Sequence, residues 1–407
     1  MKERNLKNKF LNPNCTLGFI DGLDISLFLS LLPYISYYYF NELKDNDFLF
    51  LSLSLVVCSY FIRPFALKIL FFIKKRLKVE CEKILSFKNC FIYIIPFTYL
   101  SCFLIPNFNN NILLNVLILF SIRIIIGIVF ALNYNFLSDY TVKNPSFMNV
   151  KKFVFKFLGI MFGLLFVEFL NQIYSNNELN SWYWKISLLI LIVISIFHFY
   201  INKDYKEENF LIGLIIDSNS KASDITNLIR LLLGNLFFIL PILFLMMIIL
   251  QTWLPGIVRP ENSFFIQFKL SHILLFLLLM FCFHFVFQLI GKEKIVTYFS
   301  FFNILLCLIY FFFVELSSSY GINFFQFYLS VISACALPLS FHLRNNNVKQ
   351  LFLSYNLFYM INSVLIMGIV YYLIYYKLSY DFVYLIIFFI FTLNILFKRL
   401  KLGKVDE

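Results

Sequence analysis

Apolar stretches long enough to cross a bilayer recur from one end of the chain to the other, separated by short polar intervals. A membrane-spanning helix needs about 17–25 predominantly apolar residues. Runs of that kind fall near 16–40, 48–73, 89–106, 111–135, 152–174, 182–202, 228–254, 264–290, 294–316, 320–342, 350–376 and 379–397. The pattern predicts twelve helices and an all-α integral membrane protein. The longest polar interval, NKDYKEENFLIGLIIDSNSKASDITN at 202–227, divides the helices six and six. This sets an N-terminal six-helix bundle at 1–202, a central loop at 203–227 and a C-terminal six-helix bundle at 228–407. Two bundles about a central cytoplasmic loop are the plan of many secondary transporters, whose site lies near the bilayer midplane.

Composition supports the same class. With 61% hydrophobic, 21% aromatic and only 14% charged residues, a chain of 407 residues has no way to hide its apolar surface from water as a soluble domain. The net charge of +12 would suit a nucleic-acid binder, but the basic residues fall in alternate loops, as membrane orientation requires. Lys2, Arg4, Lys7 and Lys9, the Lys74–Lys88 cluster, Lys143, Lys151, Lys152 and Lys156 lie on one side of this topology. So do Lys203, Lys206, Lys221, Arg230, Lys292, Lys294, Arg344, Lys349 and the basic residues of 398–404. The other side is left with Lys44, Arg259, Lys269 and Lys377, so both termini are expected in the cytoplasm and no nucleic-acid partner is implied. The basic start MKERNLKNKF runs into a first span too long for a signal-peptide core, so that helix is expected to be retained. The eight cysteines stand singly, without the spacing that holds a metal, and no metal or cofactor is expected.

The informative residues are the charges inside the spans. Arg123 sits in the middle of LLNVLILFSIRIIIGIVFAL. A guanidinium near the bilayer centre costs at least ~2.5–3.5 kcal/mol, so such a charge faces a protein interior or a watery path. Asp21 and Asp24 are three apart in the first span, which places them on neighbouring positions of one helix face as a single acidic patch. A carboxylate buried there can carry a proton. Arg63 lies on the second span, and it and Arg123 can neutralise the two acids or grip a substrate carboxylate with a bidentate fork. Asn133, Tyr355 and Asn356 can orient a small polar solute through hydrogen bonds. Glu168 and Glu315 fall near helix ends, and His198, His272, His284 and His342 have no carboxylate beside them in sequence, so none of these is assigned a role. Gly159 and Gly163 form one GxxxG, read as a notch for close helix packing.

Five segments carry a resemblance. LGFIDGLDISLFLSLLPYISYYYF (17–40) is similar to the first helix of the metabolite:proton symporters within the major facilitator superfamily, with Asp21 and Asp24 in the places of its Glu and Asp. SYFIRPFALKILFFIKKRLK (59–78) resembles that family's second helix through Arg63, Pro64 and Arg76. SWYWKISLL (181–189) matches the opening of its sixth through Trp182, Trp184 and Lys185. LQTWLPGIV (250–258) matches the end of the seventh through Thr252, Leu254 and Pro255, and LFLSYN (351–356) the eleventh through Ser354, Tyr355 and Asn356. The chain departs from the pattern where a Gly-Asp becomes Lys74-Lys75 and where the fourth helix, after Arg123 and Gly127, ends on Asn133 instead of an acid.

The resemblance implies the major facilitator fold and proton-coupled uptake of a small polar metabolite, either a zwitterionic osmolyte such as proline or betaine or an organic acid. Asp21 and Asp24 would couple the proton, and Arg63, Arg123, Asn133, Tyr355 and Asn356 would bind the solute. It also implies a monomer in the bacterial inner membrane. Two other readings remain: a degenerate paralogue acting as a facilitator, exporter or non-transporting protein, and a polytopic transferase. For the transferase, the outer loops offer only Glu42, Asp45, Asp47 and Glu261.

Overall fold

The computed structural model describes residues 13–40, 45–66, 94–108, 111–136, 145–202, 264–289, 298–305 and 327–336, with a few isolated helical positions besides; at 45–50, 133–136, 145–150 and 264–270 the description covers the backbone alone. Every regular element among the described residues is helical. The helices are α1 (Pro13–Ser30), α2 (Leu32–Phe40), α3 (Asp45–Phe61), α4 (Ile94–Leu104), α5 (Ile112–Phe136), α6 (Pro145–Ile173), the short α7 (Asn176–Asn180), α8 (Ile186–Asn202) and α9 (Phe264–Leu289). Described residues through Asn202 belong to one compact unit and those of 264–336 to a second. The expected spans at 228–254, 350–376 and 379–397, and the central loop 203–227, lie outside the described residues apart from isolated positions.

Among the described residues, Ile112–Leu132, Lys151–Ile173 and Tyr183–Ile201 are each long and apolar enough to cross a membrane. The first expected span is not one straight helix. It breaks at Leu31 into α1 and α2, whose axes differ by 60°. Pro33 accounts for the break, because it has no N–H to give the Leu29 carbonyl and its ring crowds that turn. The second expected span is interrupted for the same reason, with helical backbone again at Ala66. α3 stops at Phe61, and Pro64 sits in a 3-10 turn, Arg63–Phe65, that fixes where Arg63 leaves the helix.

α1 is the centre of the first unit and is buried on nearly every side, as expected of a helix that is apolar all round. It packs along α6 and also touches α3, α5 and α8. The α1–α6 contact is unusually close because glycines face backbone on both sides. A Cβ on Gly18 would lie 2.7 Å from the Lys152 carbonyl oxygen. A Cβ on Gly22 would strike the Lys156 carbonyl, one on Gly159 the Phe19 carbonyl, and one on Gly163 the Ser26 hydroxyl. The notch expected from Gly159 and Gly163 is therefore present, and Gly18 and Gly22 on α1 complete it. Contact partners rise together along both helices, so α1 and α6 run parallel. Gly127 of α5 meets the Ser59 carbonyl of α3 in the same manner.

The outer faces are as apolar as the core. On α8, Leu189, Val193, Ile196, Phe197 and Tyr200 form one exposed stripe, and Phe162, Leu165, Phe169 and Ile173 do the same on α6. Exposed apolar stripes beside a polar interior mark a multi-pass membrane protein, in which lipid takes the place of a second protein layer.

Between α6 and α8 the chain turns through α7, capped by a reciprocal pair: the Ser175 hydroxyl accepts from the Glu178 N–H, and the Ser175 N–H donates to the Glu178 carboxylate. These bonds hold the Glu178 carboxyl below its ordinary range. At the same end of the unit, the Lys185 ammonium and the Tyr39 hydroxyl both donate to the Ile105 carbonyl, at 2.5 and 3.2 Å. Tyr38, Tyr39 and Trp184 surround that ammonium at 5.0–5.9 Å. This ties the end of α4 to α2 and to the start of α8.

Candidate functional site

Four buried charges predicted from the sequence meet in the interior of the first unit. Asp21, Asp24, Arg63 and Arg123 are each at most 2% exposed. They do not form one acidic patch. Side chains three residues apart differ by about 60° around a helix axis, which is enough to send the two carboxylates into different grooves. Asp24 faces α4 and α5, whereas Asp21 faces the end of α3 and α6.

Asp24 receives a two-pronged grip. Arg123 Nη1 donates to Oδ1 at 2.8 Å and Nη2 to Oδ2 at 3.0 Å, the planar fork that matches a carboxylate. The Tyr99 hydroxyl of α4 donates to Oδ1 at 3.0 Å. Arg123 is itself fixed from α3, where Nη2 reaches the Ser59 hydroxyl at 3.3 Å and Nε the Leu55 carbonyl at 3.4 Å. Its guanidinium lies 4.3 Å from the centre of the Phe28 ring. The arginine thus satisfies its donors without water, which is the condition for a stable buried ion pair. Beside it is an apolar cavity of about 20 Å³ bounded by Phe28, Leu32, Leu55, Cys102 and Trp184 among others.

Asp21 is held differently. Arg63 Nη2 donates to Oδ1 at 2.6 Å, with Nη1 at a marginal 3.5 Å from Oδ2. The second oxygen takes Lys156 Nζ at 2.8 Å. The Tyr60 hydroxyl lies 3.4 Å from Oδ1, and the Tyr60 ring is a common floor for both cations, 4.1 Å from the Arg63 guanidinium carbon and 5.5 Å from Lys156 Nζ. Lys156 was expected from the sequence on the cytoplasmic side with Lys151 and Lys152. The structure instead buries it about three turns into α6, because Gly22 lets α6 come close enough for its side chain to reach Asp21. The signal that would have found it is a lone Lys inside the apolar run FVFKFLGIMFG, the same signal that found Arg123.

Of the other expected site residues, the Asn133 side chain, Tyr355 and Asn356 lie outside the described residues, as does the Lys74–Glu80 loop. His198 is buried with Nδ1 2.6 Å from the Thr16 hydroxyl oxygen. His272 and His284 are buried in α9 of the second unit. Among the described residues no three His, Cys, Asp or Glu side chains gather as metal ligands, and Cys15, Cys58, Cys102, Cys282 and Cys335 are free thiols.

No protein-family model matches the chain, and no curated protein matches it by sequence. Solved structures do match by shape along nearly the whole length. The proton:xylose symporter XylE from E. coli, a major facilitator superfamily protein, is similar with a TM-score of 0.66 at 11% identity, over 95% of this chain and 93% of that one. FucP, a Major Facilitator Superfamily transporter in the outward conformation, is similar with a TM-score of 0.62 at 14% identity, over 95% and 97%. The nucleoside transporter NupG is similar with a TM-score of 0.53 at 14% identity, over 94% and 98%. The fold is therefore the all-α major facilitator fold expected from the sequence, which in transporters of that kind has twelve helices in two bundles.

Proposed function

We propose that the chain is a secondary active transporter that takes up a small polar metabolite by alternating access, coupled to inward proton movement at Asp21 and Asp24. The observation that carries this reading is a pair of fully buried carboxylates on the central helix of the first bundle, each clamped by an arginine. XylE, which shares the fold, is a proton:xylose symporter. A buried ion pair cannot be pulled apart cheaply, because removing one partner strands the other charge away from water. A proton delivered to the carboxylate cancels the attraction within the pair, and the cation left behind then favours a rearranged state in which it meets solute or water. Protonation and helix rearrangement are then linked, which is the requirement for coupling.

Arg63 and Arg123, with Asn133, Tyr355 and Asn356, are the proposed solute contacts, and the solute class is a zwitterionic osmolyte or an organic acid. The two six-helix bundles are taken as 1–202 and 228–407 joined by the loop 203–227. Both termini are assigned to the cytoplasm on the basic-residue asymmetry of the loops, and the bacterial inner membrane and the monomeric state are proposed from the resemblance alone. No cofactor is invoked. One feature favours a second reading, a facilitator, exporter or non-transporting paralogue: Lys74-Lys75 stand where the resembling family has Gly-Asp, so a carboxylate proposed to pair across the cytoplasmic gate is missing.

The test is uptake of labelled proline, betaine, 2-oxoglutarate, citrate and D-xylose into proteoliposomes under an imposed inward proton gradient, comparing wild type with the Asp21→Asn/Asp24→Asn double variant. Gradient-driven accumulation that the double variant abolishes supports the symporter. Accumulation that survives it removes these two acids from coupling, and flux that ignores the gradient favours the paralogue.

A further inference from the structure

The two acids of α1 are built into unlike environments, and the difference points to what the transported solute carries. Asp24 is matched one to one by the Arg123 fork, and that arginine is locked from behind by Ser59 and Leu55. Asp21 is met by two separate cations, one on each oxygen, brought by two helices other than its own. Arg63 is positioned by the Pro64 turn and lies over Tyr60, with Phe130 5.6 Å from its guanidinium carbon. Lys156 is positioned by the glycine contact between α6 and α1 and shares the Tyr60 floor. Two cations and a tyrosine hydroxyl arranged about the oxygens of one carboxylate are a receptor for an oxyanion in general, and none of these parts belongs to the helix that now fills it.

We infer that Arg63, Lys156 and Tyr60 form an oxyanion seat that Asp21 occupies in this structure, and that protonation of Asp21 yields the seat to a carboxylate or phosphate group of the solute. The inference rests on the proton-coupled reading and names its substrate class. Asp21 Oδ takes the proton and becomes a neutral acid, so Arg63 and Lys156 lose the anion between them while remaining charged and buried. An incoming oxyanion restores the pairing, so proton and solute bind together and each raises the affinity of the other. Among the described residues, the charged and titratable groups around Asp21 agree with this order of events. Tyr60 and Arg63 face it from α3 and the turn after it, and Lys156 faces it from α6. Asp24 on its own helix is committed to Arg123 of α5 and Tyr99 of α4, and His198 of α8 contacts Thr16, more than a helical turn away. Asp21 is the acid whose neutralisation opens a site, whereas neutralising Asp24 only loosens a closed pair.

The test measures binding to the full-length protein in nanodiscs with no gradient, using 2-oxoglutarate and inorganic phosphate as oxyanion probes and D-xylose as the neutral control. Asp21→Asn mimics the protonated acid, and this variant should bind at least one oxyanion about tenfold or more tightly than wild type near pH 8. Adding Lys156→Gln should remove the gain, and Asp24→Asn should show none. Wild type should recover the gain only as the pH is lowered toward and below the ordinary aspartate value of about 3.9, where a carboxylate becomes protonated in quantity. A gain for 2-oxoglutarate alone identifies a carboxylate as the occupant, and one for phosphate alone identifies a phosphate. If Asp21→Asn does not fold, the wild-type pH series with and without Lys156→Gln decides the question by the same criterion. No oxyanion gain in folded Asp21→Asn, or a gain that survives Lys156→Gln, overturns the seat. Gradient-driven uptake of D-xylose without oxyanion binding would overturn the seat and leave the symporter reading intact. Oxyanion binding without gradient-driven uptake would leave the seat and overturn symport.

Discussion

Replacing Arg123 with Met tests the central ion pair independently of any transported solute. The substitution removes two charge-assisted hydrogen bonds to Asp24, at 2.8 and 3.0 Å, while Tyr99 remains as a donor to one oxygen. Hydrogen bonds to charged groups contribute about 1.5–3 kcal/mol each. Two of them set a loss in the same range as the ~3–5 kcal/mol typical when one partner of a buried pair is removed. Asp24→Asn alone strands the guanidinium instead and should cost a similar amount. The double variant leaves neither charge exposed to a low dielectric, and such neutral replacements are often close to harmless. A double-mutant cycle should therefore give a coupling energy of about 3 kcal/mol or more between the two positions. The measurement is equilibrium unfolding in mixed micelles at graded denaturing detergent, followed by the fluorescence of Trp184, which is buried near this pair. A coupling energy below about 1 kcal/mol would refute the reasoning, because it would mean that the arginine and the carboxylate are each satisfied without the other.

Four further outcomes follow from the packing and the caps. Gly22→Ala and Gly159→Ala each drive a methyl group into a backbone carbonyl across the α1–α6 contact, and each should cost about 1–3 kcal/mol by the same unfolding assay; a neutral result for both would show that the helices can move apart freely. Lys185→Met keeps the aromatic packing and relieves a buried ammonium whose oxygen acceptor is Ile105, so stability should stay within about 1 kcal/mol of wild type, and a loss above ~3 kcal/mol would make the aromatic ring of Tyr38, Tyr39 and Trp184 a strong cation site. The Glu178 carboxyl is depressed by its bonds to Ser175, so its contribution to the α7 cap is complete above the ordinary value of 4.5 and is lost as pH falls through the lowered one; proteolysis of the 174–182 loop should rise in acid for wild type and should be raised already at neutral pH for Glu178→Gln. Lys156→Gln should remove one of the two described cations on Asp21 and shift the pH dependence of uptake toward alkaline values, since a carboxylate with one cation fewer protonates more easily; an unchanged profile would argue that Lys156 only fills space.

Much of the site was legible because charge inside an apolar run has no innocent explanation. Asp21, Asp24, Arg63 and Arg123 each break such a run, and all four meet in the structure. Lys156 escaped because Lys151 and Lys152 precede it, and three lysines in six residues read as a helix end at the membrane surface. Only the start of α6 at Pro145 shows that Lys156 lies about three turns inside a helix and not at its end. Which cation answers which acid was not legible, since that depends on how each helix is rotated about its axis, and sequence spacing fixes rotation only within a helix. Tyr60, Ser59 and Tyr99 were missed for the same reason: they became partners through the rotation of α3 and α4, and tyrosine and serine are otherwise unremarked in so aromatic a chain. The division of the chain into spans followed from hydropathy, but the breaks at Pro33 and Pro64 were smoothed over by apolar neighbours on both sides.

The lane of small residues on α1 limits how that helix can move. Gly18, Gly22, Ser26 and Ser30 recur at every fourth position, and the first three meet α6 at Lys152, Lys156 and Gly163. If α1 slid one turn along α6, Gly22 would come to Lys152, but the Cβ of Ser26 would come to the Lys156 carbonyl, which lies too close to admit one. A shift of half a turn would bring bulk such as Phe19 or Leu23 against those carbonyls. The close contact is therefore keyed to one register, and α1 cannot step along α6 without first lifting away from it. Spin-label distances along the closely packed part of α1 and α6 should be single-valued, and a continuous spread would dismiss the fixed register. Asp21 would then part from Lys156 only by separation of the two helices.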